Sequence, residues 1–291
     1  MNIIIEKRWM PMGDLALLYQ EWKALIISGE EVPFFQEFYV KFYQAFLESD
    51  RWMLYLRGMG TTIVATAMSL LIGIVLGVIV AMIRTAHDQQ RPNLLSNTKR
   101  LKYWRLRKQG MAMPSFRNPI LGVVNAIAKV YVTVIRGTPM MVQLLIMGLV
   151  VFKYSRNYTV VGSLTLGINS GAYVAEIIRG GLMSLDPGQA EAGRSLGLNY
   201  FDTMRFIIIP QAFKAILPSL GNEFIILLKD TSLITVIGGK ELVYAAQGIY
   251  GRTYEQMYPL IGIACMYLAM VMVFSWLQGK LERRLRQSDR R

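Results

Sequence analysis

Long uncharged apolar runs separated by short polar or basic segments dominate the chain from residue 58 onward. Crossing a bilayer takes about 20 apolar residues in helical conformation. The first such run lies between Arg57 and Arg84, and within it Gly73 and Gly77 have the four-residue spacing of a close-packing helix face. A second run follows Arg136–Pro139 and ends at Lys153. It is short, so the helix is expected to begin before Arg136, with that arginine held against a partner or near the interface. The third extends from Asn157 to about Met183 and carries Glu176 and Arg179 toward its end. These two lie three apart on one helical face and either pair with each other or help close a path through the membrane.

The fourth run, Phe206 to about Lys229, is broken by Pro210 and Pro218 and carries Gly221, Asn222 and Glu223 near its middle. A broken, polar helix is tolerated in a bilayer only where protein or a water-filled cavity satisfies it, so this one is expected to line a translocation path. Thr231–Gly239 reads as a partial re-entry or surface segment, and the fifth run is Gln256–Gly279. Residues 1–57 hold no uncharged stretch of spanning length, and Lys7 and Arg8 interrupt the early apolar patch, which argues against a cleavable signal peptide. Phe34, Phe38, Phe42 and Phe46 recur every four residues, predicting an amphipathic helix that packs as an elbow or lies on the membrane surface.

Charge then sets orientation. Residues 1–57 carry six basic and eight acidic residues, whereas 84–117 carry nine basic residues against Asp88 alone. By the positive-inside rule the N-terminus is outside and the basic insert 84–117 cytoplasmic. Five crossings then place the C-terminus, with Lys280, Arg283, Arg284, Arg286, Arg290 and Arg291, in the cytoplasm. The expected fold is therefore an all-α integral membrane protein with five transmembrane helices. Its parts are an N-terminal region (1–57), a membrane domain (58–284) and a basic tail (285–291). Composition agrees, with 53% hydrophobic and 18% charged residues. The net charge of +13 sits beside the apolar runs, so anionic membrane lipid explains it and nucleic acid is not expected as a partner.

One polar segment, 186–210, interrupts the membrane pattern with helix-boundary signals. Asp186 before Pro187, with Gln189 three residues on, reads as a capped helix start. Gly197 suits a left-handed helix end, and Asn199 with Asp202 reads as a second cap before a helix that Pro210 bends. Helix, glycine turn, helix: a rigid element of this kind in the cytoplasm is expected to be a docking surface.

At these residues a resemblance becomes specific. Glu191-Ala192-Gly193, three residues, Gly197, nine residues, Ile207-x-Ile209-Pro210 resembles the EAA loop of ABC-importer membrane subunits, with Gly193 for the usual alanine and Ile209 for the usual leucine. VIRGTPMMVQ (134–143), GAYVAEIIRGG (171–181) and PSLGNEFIILLKDTSLITVIG (218–238) resemble the polar amino acid permease branch, and the likeness covers about residues 58–284. The resemblance implies a type I importer permease in a bacterial cytoplasmic membrane. Two such subunits, identical or paralogous, would form the pore, with separate ATPase subunits gripping the EAA loops and an extracytoplasmic binding protein delivering a polar amino acid. It assigns coupling to Gln189, Glu191, Ala192, Gly193, Gly197 and Pro210. Asn169, Ser170, Tyr173, Glu176, Asn222 and Glu223 are candidate path residues, since a dehydrated zwitterion needs donors and acceptors.

The chain has no G-x-x-x-x-G-K-[ST] phosphate loop and so no ATP site of that kind. With one histidine, His87, and one cysteine, Cys265, it offers neither a nucleophile–histidine set nor a Cys/His metal cluster, and no cofactor or enzyme activity is expected. The alternative, a secondary amino acid transporter driven by an ion gradient, usually carries inverted repeats, and none is found here.

Overall fold

The computed structural model describes residues 12–89 and 118–288, and among these every regular element is helical. Most of the basic insert lies outside the described residues, so its expected role is not addressed by the fold. Among the described residues, three helical stretches are long and apolar enough to cross a membrane: Glu48–Asp88, Pro119–Gly137 and Met257–Leu285. A shorter apolar helix covers Met140–Val151. Backbone contacts divide the chain into two units, 1–60 with 242–268, and 61–241 with 269–291.

The smaller unit contains α1 (Met12–Ile27), α2 (Phe34–Phe46), the first turns of α3 (Arg51–Gln89), α10 (Leu242–Thr253) and the first half of α11 (Met257–Ser288). The expected phenylalanine stripe forms on α2, where Phe38 stacks on Phe42 and Phe42 packs on Phe46. Phe38 meets the Tyr258 ring edge-on at 5.5 Å, and Phe46 fills the space that a side chain at Gly262 would need. Polar ties reinforce this packing. The buried Tyr19 hydroxyl donates to Glu48 at 2.7 Å, Lys23 donates to both, and Lys41 bridges Glu37 and Glu255.

In the larger unit α6 (Tyr158–Met183) is the central element, with eleven of its residues buried between Val161 and Ala175. It starts where the Asn157 side chain accepts from the amides of Thr159 and Val160. The rest of α3 crosses it at van der Waals range because Gly73 faces Ser170 and Gly77 faces Val174. Ser69 fastens this crossing by donating to the Ser163 carbonyl at 3.0 Å. On another side α4 (Pro119–Gly137) packs Ala128 and Val132 with Ala172 and Ala175 of α6, and the Tyr131 hydroxyl donates to the Ile168 carbonyl.

Two expectations about the spans are corrected. No single helix passes through Arg136–Pro139: α4 ends at Gly137, Thr138 is extended, and α5 (Met140–Leu145) starts afresh after Pro139 and continues as a π-helical turn to Val151. The cause is local, because a proline disfavours helical conformation in the residue before it and supplies no amide hydrogen. Nor is Thr231–Gly239 a surface segment. Thr231–Ile237 forms a 3₁₀ helix whose Ile234 and Ile237 are buried with Leu144, Val161, Leu166 and Leu227. Gly162 and Gly239 leave the room that Ile234 occupies.

The α3–α6 crossing leaves no space for a methyl group. A Cβ at Gly77 would lie 2.5 Å from Val174 Cγ1 and 3.0 Å from the Ala175 amide nitrogen. Gly77→Ala is expected to cost about 1–3 kcal/mol, as overpacking generally does. A lowered thermal unfolding midpoint of the detergent-purified protein checks this.

Candidate functional site

The segment 186–210 folds as its caps dictate. In α7 (Pro187–Ser195) the Asp186 carboxylate accepts from the Gly188 amide at 2.8 Å, with Pro187 in the first turn. Gln189 does not return a capping bond as expected; its side chain accepts from Gln211 at 3.1 Å. The helix end is a full Schellman turn: the Leu198 amide donates to Gly193 and the Gly197 amide to Arg194, with Gly197 at φ +81°. Asn199 then caps α8 (Tyr200–Thr203), accepting from the Asp202 amide and donating to the Asp202 carboxylate. A π-helical turn, Met204–Ile208, leads into α9 (Ile209–Asp230). Pro210 in the first turn of α9 explains the widening, since its ring would strike the carbonyl four residues back and it has no amide hydrogen to give.

Gly193 is the hinge-side contact of this element. A Cβ there would lie 2.8 Å from Thr203 Cγ2 and 3.0 Å from Ile207 Cδ1, so α7 lies directly on α8 and the π turn. Ala192 accepts the Leu196 amide at the helix end. Glu191 points outward, more than half exposed, 3.9 Å from Arg194. The sequence-derived coupling residues thus form one exposed, stiffly capped body attached to the start of α9.

Four of the six candidate path residues, Asn169, Ser170, Tyr173 and Glu176, lie on α6, and each meets a different neighbouring helix. Asn169 donates to the Gln143 side chain of α5 at 3.0 Å. Ser170 donates to the Glu223 carboxylate of α9 at 2.7 Å, and Glu223 is 6% exposed. Tyr173 lies under the Arg136 guanidinium of α4, 5.1 Å from ring centre to Cζ. Glu176 meets Arg84 of α3 in a close ion pair, with Arg136 at 3.9 Å and Arg179 at 4.0 Å. Arg179 lies 3.6 Å from Asp88 of α3, so the anticipated Glu176–Arg179 pair is the longest contact of a larger network. From residue 169 to 179 this ladder extends about 15 Å along the helix axis.

An open cleft of about 510 Å³ adjoins the ladder, lined by Ile177, Asn222, Glu223, Gln278 and Glu282 among others. Gln278 of α11 covers Gly221 and donates to the Pro218 carbonyl at 3.2 Å, which contacts the helix where its proline breaks the hydrogen-bond ladder. Asn222 and Glu223 thus share the cleft, while Asn169, Tyr173 and Glu176 line the ladder. Gln143, Arg84 and Gln278 are the residues that the sequence reading did not single out. Gln143 closes the VIRGTPMMVQ word, and that placement was its only signal. Arg84 was hidden in a basic stretch assigned to lipid, and Gln278 in an apolar run.

The turn at Gly197 gives a test of local stiffness. Nothing lies within 4 Å of a Cβ there, so a substitution meets only the left-handed backbone, at about 1–2 kcal/mol for an ordinary L-residue. Gly197→Ala is expected to speed amide exchange of Gly197 and Leu198, and Gly197→Asn to do so less.

Comparison with known proteins places this geometry. Residues 111–287 match the family described as binding-protein-dependent transport system inner membrane component. The glutamine transport system permease protein of Escherichia coli (strain K12) is 38% identical over 168 residues, covering 56% of this chain and 77% of that protein. The arginine transport system permease protein of Bacillus subtilis (strain 168) is 35% identical over 187 residues, 58% of this chain and 83% of that one. A crystal structure of an amino acid ABC transporter with histidines aligns with a TM-score of 0.64 at 38% identity, over 80% of this chain and 94% of that chain. An inward-facing MetNI methionine ABC transporter shares the fold, with a TM-score of 0.60 at 16% identity over 82% and 99% of the two chains.

Proposed function

Because the chain belongs to the family of binding-protein-dependent transport system inner membrane components, we propose that it is the membrane subunit of an ATP-driven importer for polar amino acids. It is a transport subunit and not an enzyme; ATP hydrolysis belongs to a separate subunit. The observation that carries the proposal is the doubly capped body at 186–203, closed by a Schellman turn and seated through Gly193 on the start of α9. Stiff at both ends, it suits a groove on an ATPase and can pass a rigid-body movement to α6 and α9. The relatives named for glutamine and arginine transport support the polar amino acid class.

In this reading the chain crosses a bacterial cytoplasmic membrane five times with the N-terminus outside. It pairs with a second copy or a paralogue to form the pore and receives substrate from an extracytoplasmic binding protein. Glu191 orients the ATPase contact, Gly193 permits the close approach, and Gln189, Ala192, Gly197 and Pro210 shape the body. Asn169, Ser170, Tyr173, Glu176, Asn222 and Glu223 line the path, with the Glu223 carboxylate, held by Ser170, available to a substrate ammonium group.

Glu191→Ala is expected to reduce both co-purification of the ATPase subunit and ATP-dependent uptake at least tenfold, with the thermal midpoint unchanged. Full uptake by that variant, or transport by ATP-depleted vesicles carrying an ion gradient, sinks the reading. Topology is checked with a thiol at Ser195 in a Cys265→Ser background. Intact cells treated with a membrane-impermeant maleimide are expected to leave it unlabelled.

A further inference from the structure

Of the three guanidinium groups beside α6, that of Arg136 is the most exposed and, among the described residues, the one without a hydrogen bond. Three guanidinium groups, on Arg84, Arg136 and Arg179, face the two carboxylates of Asp88 and Glu176. Arg84 holds the close contact with Glu176, and Arg179 lies nearest Asp88. Arg136 is left 3.9 Å from Glu176, beyond hydrogen-bond length, with its side chain 43% exposed. Among the described residues it donates no hydrogen bond, and its other contact is the face of Tyr173.

Its position in the fold explains why it makes none. A basic residue in the last turn of a helix ordinarily turns back onto the free carbonyls there. At the end of α4 the Ile135 carbonyl is taken by Gln143 at 2.8 Å and the Val134 carbonyl by the Thr138 hydroxyl at 2.9 Å, while Gln143 also donates to the Thr138 carbonyl and hydroxyl at 3.2 and 2.7 Å. Gln143 and Thr138 thereby leave Arg136 free of the helix end, and its guanidinium lies over the Tyr173 ring while staying partly exposed. A charge at membrane depth with no full partner is costly, and retained arginines of this kind mark ligand pathways. A planar fork of N–H donors fits a carboxylate in two parallel bonds.

We propose that Arg136 receives the α-carboxylate of the transported amino acid, with Tyr173 and Gln143 as its positioning residues. This rests on the amino acid permease reading and adds to it the group that recognises the negative end of the zwitterion. The opposite charge is held from the same helix. Ser170, which holds Glu223, lies three residues from Tyr173 on α6, about 4.5 Å along the axis. A zwitterion bridging these two positions has its ammonium group toward Glu223 and its carboxylate toward Arg136.

The test uses the complete permease–ATPase complex in detergent without the binding protein, and measures equilibrium binding of L-glutamine, L-arginine and their C-terminal amides. Wild type is expected to prefer each acid over its amide by about tenfold or more, the worth of a charge-assisted pair. Arg136→Gln is expected to erase that ratio by weakening the acids alone, and Arg136→Lys to keep part of it. An unchanged ratio in Arg136→Gln overturns the proposal. If Arg136→Gln does not assemble, Tyr173→Ala replaces it, with the ratio expected to fall severalfold and an unchanged ratio again overturning the proposal. A wild-type complex that binds none of the four compounds, yet couples ATP hydrolysis to another solute, overturns the amino acid reading itself.

Discussion

A polar group inside a hydrocarbon layer has no water to fall back on, so each must find its partner in protein or ligand. In the larger unit this requirement is met along α6. Asn169 reaches α5, Ser170 reaches α9, Tyr173 reaches α4, and Glu176 and Arg179 reach α3. Successive polar positions on one helix thereby select different neighbours, and the packing follows from that allocation. The apolar contacts are arranged around it: Gly73 and Gly77 bring α3 close enough for Arg84 to meet Glu176, and Ala128 and Val132 seat α4 against Ala172 and Ala175. Small residues set the distance and the charges set the register. Neither alone would place four helices about a common polar seam.

Just past the C-terminal end of α6 the chain leaves that seam through a segment with the opposite character. Residues 186–203 have few apolar groups to bury and hold their shape by capping, with side-chain bonds at Asp186 and Asn199 and two backbone bonds closing the turn between them. Capping interactions are each worth about 0.5–2 kcal/mol, and they act locally. It is tied to the chain that follows by the close approach of Gly193 to Ile207 and by the Gln211 side chain donating to Gln189. Stiffness within the body and these ties at its base suit it to move as one piece with the start of α9.

The sequence was most readable where a residue's chemistry fixes its own backbone. Asp186, Pro187, Gly197 and Asn199 signal helix boundaries without reference to anything distant, and their placement follows the reading. The four-residue spacing of Gly73 and Gly77 and the phenylalanine repeat on α2 likewise announce their faces. Two kinds of feature escape such a reading: a break whose local signal sits inside an uncharged run, and burial or pairing set by a distant partner. The break at Thr138 was misread because uncharged runs were taken to equal helices, although Pro139 stood in plain view. Thr231–Gly239 reads as either a partial re-entry or a surface segment, and the sequence does not decide between them because the burial of Ile234 and Ile237 comes from glycines at 148, 162 and 239, which no local pattern links to them. The members of the polar seam were named one by one, yet their pairing was hidden: Glu176 was matched with its neighbour in sequence, while its close partner, Arg84, lies 92 residues away.

The π-helical turn at Met204–Ile208 has a geometric result that reaches well beyond it. Such a turn is an α-helix with one residue inserted, and one residue corresponds to about 100° of rotation about the axis. Everything downstream in α9 is phased by that insertion. Were the chain one residue shorter there and the helix regular, Glu223 would swing about a quarter-turn away from Ser170, and Asn222 would move by the same angle. The odd loop of backbone forced by Pro210 therefore acts as an angular setting, deciding from outside the seam which side chains of α9 look into it.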